Sequence, residues 1–231
     1  KIALRLVNGF RKKVSVELHP AMARDIDKTV EFARRYQKVC PEYFIIKIPL
    51  TPEGYLSVRK LRKGGMPINF TLGFSARQNY LAARLSNPDF VNVFLGRLNQ
   101  VIVDNSFGTG KGVGEKVTLA AQAAISDLRK ERSEVVTRLI AASIRNGDQV
   151  AALAGVDVHT IPPKALTDFL NSDRKPDDLA KGNHEDWIPE ADSSIMDRLK
   201  DLWEVSETFK KFADDLVSLD SVDSMNGEDL V

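Results

Sequence analysis

Along four runs of this chain hydrophobic residues alternate with a second set, and in every run the polar residues fall on that second parity. In residues 43–49, Tyr-Phe-Ile-Ile-Lys-Ile-Pro, successive side chains of a strand point to opposite faces. Phe44, Ile46 and Ile48 then form a wholly apolar face, while Ile45, Lys47 and Pro49 form the other. Residues 14–19 set Val14, Val16 and Leu18 against Ser15 and Glu17. Residues 68–75 set Ile68, Phe70, Leu72 and Phe74 against Asn69, Thr71 and Gly73, and residues 90–95 set Val91, Val93 and Leu95 against Asn92 and Phe94. Two more strands are predicted over roughly 134–143 and 156–162.

Helical spacing fills the intervals. Lys1 to Phe10 reads as the end of a helix stopped at Asn8-Gly9, and Met22, Ile26, Val30 and Ala33 stripe a helix over 21–38. Thr51-Pro52-Glu53-Gly54 predicts an N-cap with proline at the first helical position, opening a helix over 52–63 that Gly64-Gly65 stops. Ser75 caps a helix to about residue 86, Val117, Ala121, Ala124 and Leu128 stripe another to about 131, Gly147 to Gly155 bounds a short one, and Pro163 starts one to about Asn171. Strand followed by helix recurs six times with no hairpin signal, which predicts an α/β fold with a parallel sheet. Because the polar parity is constant, that face must look onto something polar and shared, as in a barrel; an open doubly wound sheet would want both parities apolar. The predicted fold is a (β/α)8 TIM barrel, with six of its units visible in residues 1–172. Eight strands close such a barrel, so an upstream segment of about 50 to 60 residues is expected.

Residues 99–116 hold Gly108, Gly110, Gly112 and Gly114. They suggest a phosphate loop but lack the Walker spacing, and a mobile loop is the expectation. Residues 173–231 form a second region: a linker over 173–192, one long amphipathic helix carrying Ile195, Leu199, Leu202, Phe209, Ala213 and Leu216, and an acidic tail from Ser218 expected to fray. The helix must bury its apolar side against the barrel or against a second copy in a homo-oligomer.

Composition narrows the classes. The 231 residues are 43% hydrophobic, enough for one large core, and a net charge of +1 gives no reason to expect a nucleic-acid partner. Cys40 alone cannot build a disulfide framework, and no apolar run approaches the roughly 18 residues of a membrane span, so a cytoplasmic enzyme or binding protein is expected. No metal or cofactor is expected. Lys47 is the residue that asks for a reason: burial disfavours the charged form of lysine, and a neutral amine is a nucleophile toward carbonyls. Snorkelling from a strand end, or pairing with a single carboxylate, would serve equally well. Arg97 and Arg145 follow strand ends, where barrels bind sugar phosphates and where guanidinium geometry suits phosphate; both could also be plain surface charges.

Several ordered motifs, Val-Ser-Val-Glu (14–17), Ile-Lys-Ile-Pro (46–49) followed by Thr-Pro-Glu-Gly, Ile-Asn-Phe-Thr-Leu-Gly-Phe-Ser (68–75), Phe-Leu-Gly-Arg-Leu (94–98), Ala-Ala-Ser-Ile-Arg-Asn (141–146) and Thr-Ile-Pro-Pro (160–163), resemble the transaldolase family, which includes the bacterial fructose 6-phosphate aldolases. The resemblance covers about Val14 to Asn171. It implies a (β/α)8 barrel and a Schiff base between Lys47 and a ketose donor. Carried over by position, it implies that Glu17 and Thr71 handle a catalytic water, that Asn69 and Asn92 hold substrate hydroxyls, that Phe94 belongs to the substrate site, and that Arg97, Ser143 and Arg145 bind phosphate. Asn92 stands where the family usually has serine, and the family's proton-moving aspartate and its Thr-Asn-Pro asparagine have no counterpart in these residues. The implied partners are sugar phosphates, and the implied reaction is transfer of a dihydroxyacetone unit in the pentose phosphate pathway. Glu17 and Phe94 favour this over direct fructose 6-phosphate cleavage, whose branch tends to carry glutamine and tyrosine there. A non-catalytic sugar-phosphate-binding barrel is the third reading.

Overall fold

A computed structural model describes residues 1–175, 179 and 183–230, so part of the segment expected as a linker, 173–192, lies outside the described residues. The order is α1 (Ile2–Phe10), β1 (Val14–Glu17), α2 (Ile26–Val39), β2 (Phe44–Pro49), α3 (Pro52–Lys63), β3 (Ile68–Thr71), α4 (Ala76–Leu85), β4 (Phe90–Phe94), α5 (Leu95–Asp104), α6 (Val113–Glu131), β5 (Arg138–Ala142), α7 (Gly147–Ala152), β6 (Val158–His159), α8 (Pro163–Leu170), α9 (Ser193–Trp203) and α10 (Glu207–Val217). All strand pairings are parallel and follow chain order from β1 to β6, in a sheet curled into a half-barrel. Sequential order without a switch point is the winding of a barrel and not of a doubly wound sheet. Among the described residues the strands number six, with β1 and β6 as edges, and a closed eight-stranded barrel is not reached.

The local signals act as their chemistry requires. Thr51 Oγ1 accepts from Gly54 N at 3.0 Å and Ser75 Oγ from Gln78 N at 3.0 Å, satisfying orphan N–H groups at the starts of α3 and α4. The outward row of Phe44, Ile46, Ile48, Ile68, Phe70, Val91, Val93, Leu139 and Ala141 is buried, with helices α2, α3, α4 and α6 packed against the strands. Burying each large aliphatic side chain of this row contributes about 1.5–3 kcal/mol, and the row fixes which way the alternate residues point.

Five expectations are corrected. The supposed mobile loop, 99–116, overlaps the second half of α5, whose Leu95, Leu98 and Ile102 form a buried stripe, and the start of α6, and its glycines are laced to a later segment: Gly110 N donates to Glu190 O at 3.0 Å and Glu190 N to Lys111 O at 2.8 Å. β3 stops at Thr71 because Leu72 takes a φ of 70°, which ends the alternation and leaves Leu72 outside the buried row. β6 is two residues long. The long C-terminal helix is two, with Ser206 capping α10 through a 3.2 Å bond from Phe209 N; α9 packs against α4 and α6 and α10 against α4 of the same chain. The acidic tail does not fray over its described length: Val222 is buried and Asp223 accepts from Arg59 Nε at 2.8 Å and pairs with Lys63, both on α3.

Asp157 ties the outer helix to the sheet. Arg129 of α6 grips its carboxylate with two bonds of 2.9 and 3.0 Å, and Leu139 N of β5 donates at 3.0 Å. Burial alone would raise this carboxyl, but Arg129 and the Leu139 amide outweigh it and hold the group below the usual aspartate range. A depressed folded value means the stabilisation is complete above the unfolded value, about 4, and is lost as pH falls through the folded one. Asp157→Asn is therefore expected to cost about 1–3 kcal/mol at pH 7. Urea denaturation at neutral and at acid pH checks this; the deficit should close below about pH 4, and a deficit unchanged by acid would assign it to packing instead.

Candidate active site

The strand register assembles the polar parity into one surface. Glu17 is level with Lys47, Lys47 with Asn69, and Pro49 with Thr71, so three strands bring these side chains to the inner face near their C-terminal ends. Lys47 Nζ donates to Glu17 Oε2 at 3.1 Å. The lysine side chain is 24% exposed and the glutamate 50%, so Lys47 is partly covered and paired with one carboxylate. That pairing was one of the alternatives its place in the sequence allowed.

A second chain of bonds crosses the same face. Asn69 Nδ2 donates to Ser15 Oγ at 3.1 Å, and Asn92 Nδ2 donates to Asn69 Oδ1 at 2.7 Å and to Phe70 O at 3.1 Å. Asn69 and Asn92 are buried, and their amides are oriented by these contacts. Ser15 was legible only as a polar-parity residue of β1. Thr71 is fully buried, and its Oγ1 has no protein partner among the described residues. A buried hydroxyl without a partner costs about 1–3 kcal/mol. Phe94 closes the end of β4, its ring 6.0 Å from that of Phe74.

Beyond Phe94 the surface turns basic. Arg97 lies in the first turn of α5, and Arg145 follows β5 after Ser143, whose φ of 64° swings the chain out of strand geometry. The two loops touch: a Cβ on Gly96 would sit 2.2 Å from Ser143 O and 2.8 Å from Arg145 Nε, so glycine is required there. Arg97 and Arg145 are both exposed, and among the described residues neither guanidinium has a carboxylate within ion-pair distance. A cavity of about 310 Å³ beside Arg145 is lined by Gly96, Asn99, Gln100, Arg145 and Gln149, among others. An unpaired guanidinium lining a cavity can hold an anion. Sequence reasoning missed Glu115, Asn99 and Gln149 behind this segment, since Glu115 fell within the expected 99–116 loop and off the stripe that begins at Val117.

The sequence model of the transaldolase/fructose-6-phosphate aldolase family matches residues 1–222. The chain belongs to this family. A probable transaldolase of Symbiobacterium thermophilum is 34% identical over 206 residues, covering 88% of this chain and 77% of that protein. A probable transaldolase of Exiguobacterium sibiricum is 35% identical over 143 residues, and one of Hyphomonas neptunium is 30% identical over 154 residues. In these two the match spans 59% and 63% of the relative's length, so less than two thirds of each is represented. Among the described residues of this transaldolase-family chain, no helix is long and apolar enough to cross a membrane and no three His, Cys, Asp or Glu side chains gather as a metal site.

Thr71 separates a structural role from a chemical one. Thr71→Val removes a hydroxyl that has no partner among the described residues, so stability should hold or rise by about 1 kcal/mol. Turnover should nevertheless fall. Thermal denaturation beside a donor-cleavage assay checks both, and a variant that loses stability and keeps full activity would remove Thr71 from the site.

Proposed function

We propose that this protein is a Schiff-base transaldolase: it takes a dihydroxyacetone unit from a ketose phosphate, sedoheptulose 7-phosphate or fructose 6-phosphate, and gives it to glyceraldehyde 3-phosphate or erythrose 4-phosphate, a step of the pentose phosphate pathway. The observation that carries the reading is the Lys47 amine 3.1 Å from the Glu17 carboxylate on an inner face that also carries the Asn69 and Asn92 amides and the Thr71 hydroxyl. Family membership and the relatives' names support it. In this reading the half-barrel belongs to a (β/α)8 barrel that two further strands would close between β6 and β1.

Glu17 takes the ammonium proton, and the neutral amine adds to the ketone carbon of the donor. The carbinolamine loses its hydroxyl as water, with the proton returned by Glu17, and leaves an iminium. A carboxylate base then takes the proton from the hydroxyl two carbons away, and the bond between that hydroxyl-bearing carbon and the carbon next to the iminium breaks. Its electron pair moves into the iminium to give an enamine, and an aldose phosphate departs. The enamine carbon attacks the acceptor aldehyde, whose oxygen takes up a proton, and water hydrolyses the new iminium to free Lys47. Thr71 and Glu17 hold the water of the first and last steps, Asn69 and Asn92 hold donor hydroxyls, Phe94 walls the site, and Arg97, Ser143 and Arg145 hold the phosphate.

Borohydride added with fructose 6-phosphate should trap one adduct on Lys47, detected by mass spectrometry of the digested protein. No adduct in the wild type, or an undiminished one in Lys47→Met, would end the reading. Free dihydroxyacetone released without an acceptor aldehyde would favour the aldolase branch instead.

For the phosphate end, Arg145→Ala should raise KM for fructose 6-phosphate about ten- to a hundredfold, the size of one lost charge-assisted hydrogen bond. KM for dihydroxyacetone should stay put; equal losses with both donors would refute a phosphate role.

A further inference from the structure

Glu115 is buried in the first turn of α6, and among the described residues no cation pairs with it. Its carboxylate is instead held between two side-chain amides. Asn99 Nδ2 donates to it at 3.0 Å, and Gln149 Nε2 donates at 2.7 Å. Neither amide can turn round, because each oxygen is already engaged on its far side: Asn99 Oδ1 accepts from Gly114 N at 2.7 Å and Gln149 Oε1 accepts from Arg145 N at 2.7 Å. Both amides therefore present only N–H groups to residue 115. The group between them has to be an acceptor on both sides, which an ionised carboxylate is and an amide is not.

What this carboxylate joins matters more than its own burial. Asn99 lies on α5 two residues after Arg97, and Gln149 lies on α7 and holds the backbone of Arg145. Helix α5, which carries Arg97, and the backbone of Arg145 after β5 are thus fastened to each other through one acceptor. We propose that Glu115 is a positioning residue for the phosphate end of the site, fixing Arg97 and Arg145 at the spacing that a sugar phosphate requires. The proposal rests on the sugar-phosphate reading above. It assigns to Glu115 no contact with the substrate.

The test compares wild type with Glu115→Gln, which keeps the volume and forces one N–H to face another, and with Gln149→Met, which keeps α7 filled and removes both the bond to Glu115 and the bond to the Arg145 backbone. Both variants should raise KM for fructose 6-phosphate about tenfold, the loss expected when one charge-assisted hydrogen bond goes out of place. The kcat, and KM for dihydroxyacetone, should not change. In an Arg145→Ala background the same substitutions should add little, since partners in one network are not additive. An unchanged KM, or equal losses with both donors, overturns the clamp. Inorganic phosphate titrated by calorimetry makes the comparison without turnover. Equal phosphate affinities in wild type and Glu115→Gln overturn the clamp even where borohydride traps Lys47. A fall in affinity with no trapping in the wild type would overturn the catalytic reading and leave the clamp standing.

Discussion

The organisation of the molecule depends on one packing constraint: in β2 to β5 every second side chain is pressed into the helical layer and has no freedom to turn. Ile46, Ile68, Phe70, Val91, Val93 and Leu139 are all fully buried on that side. A slip of register by one residue would drive Lys47, Asn69 and Asn92 into the hydrophobic layer, at a cost no single hydrogen bond could offset. The apolar row thereby determines the inner one. Once Lys47 points inward, the parallel register leaves Glu17 beside it and Asn69 on its other flank.

The parts of the fold legible in the sequence were those governed by period and by caps. Alternation in residues 43–49 and 68–71, helical spacing after Thr51 and Ser75, and the absence of hairpin signals were enough for a parallel sheet wound in chain order. The inner set of Lys47, Glu17, Asn69, Thr71 and Asn92 followed from parity alone. The pairing of Lys47 with Glu17, as against its isolation, did not, because parity says which face a side chain shares and nothing of what lies across it.

Other features escaped because they break periodicity. Leu72 and Ser143 both take positive φ values, so counting by twos beyond Thr71 or Ala142 assigns the wrong face. α5 starts directly on the last residue of β4 with no side-chain cap, and its glycine-rich successor drew the eye from the stripe of Leu95, Leu98 and Ile102. The Asn99, Glu115 and Gln149 cluster is assembled from three helices, and no spacing along the chain announces it.

The C-terminal helices and tail add an order of events. Asp223 grips Arg59 across 164 residues of chain, and Asp214 grips Arg84 on α4 and Arg132 just past the end of α6. A polypeptide emerges from the ribosome amino end first, at about 5–20 residues per second. The sheet and its helical layer can therefore be in place while the outer flank of α4 and α6 is still bare, and Tyr80 waits on the order of seconds for the Phe209 ring that later packs against it. During that interval the nascent chain carries an apolar strip that only the arrival of residues 193–223 covers.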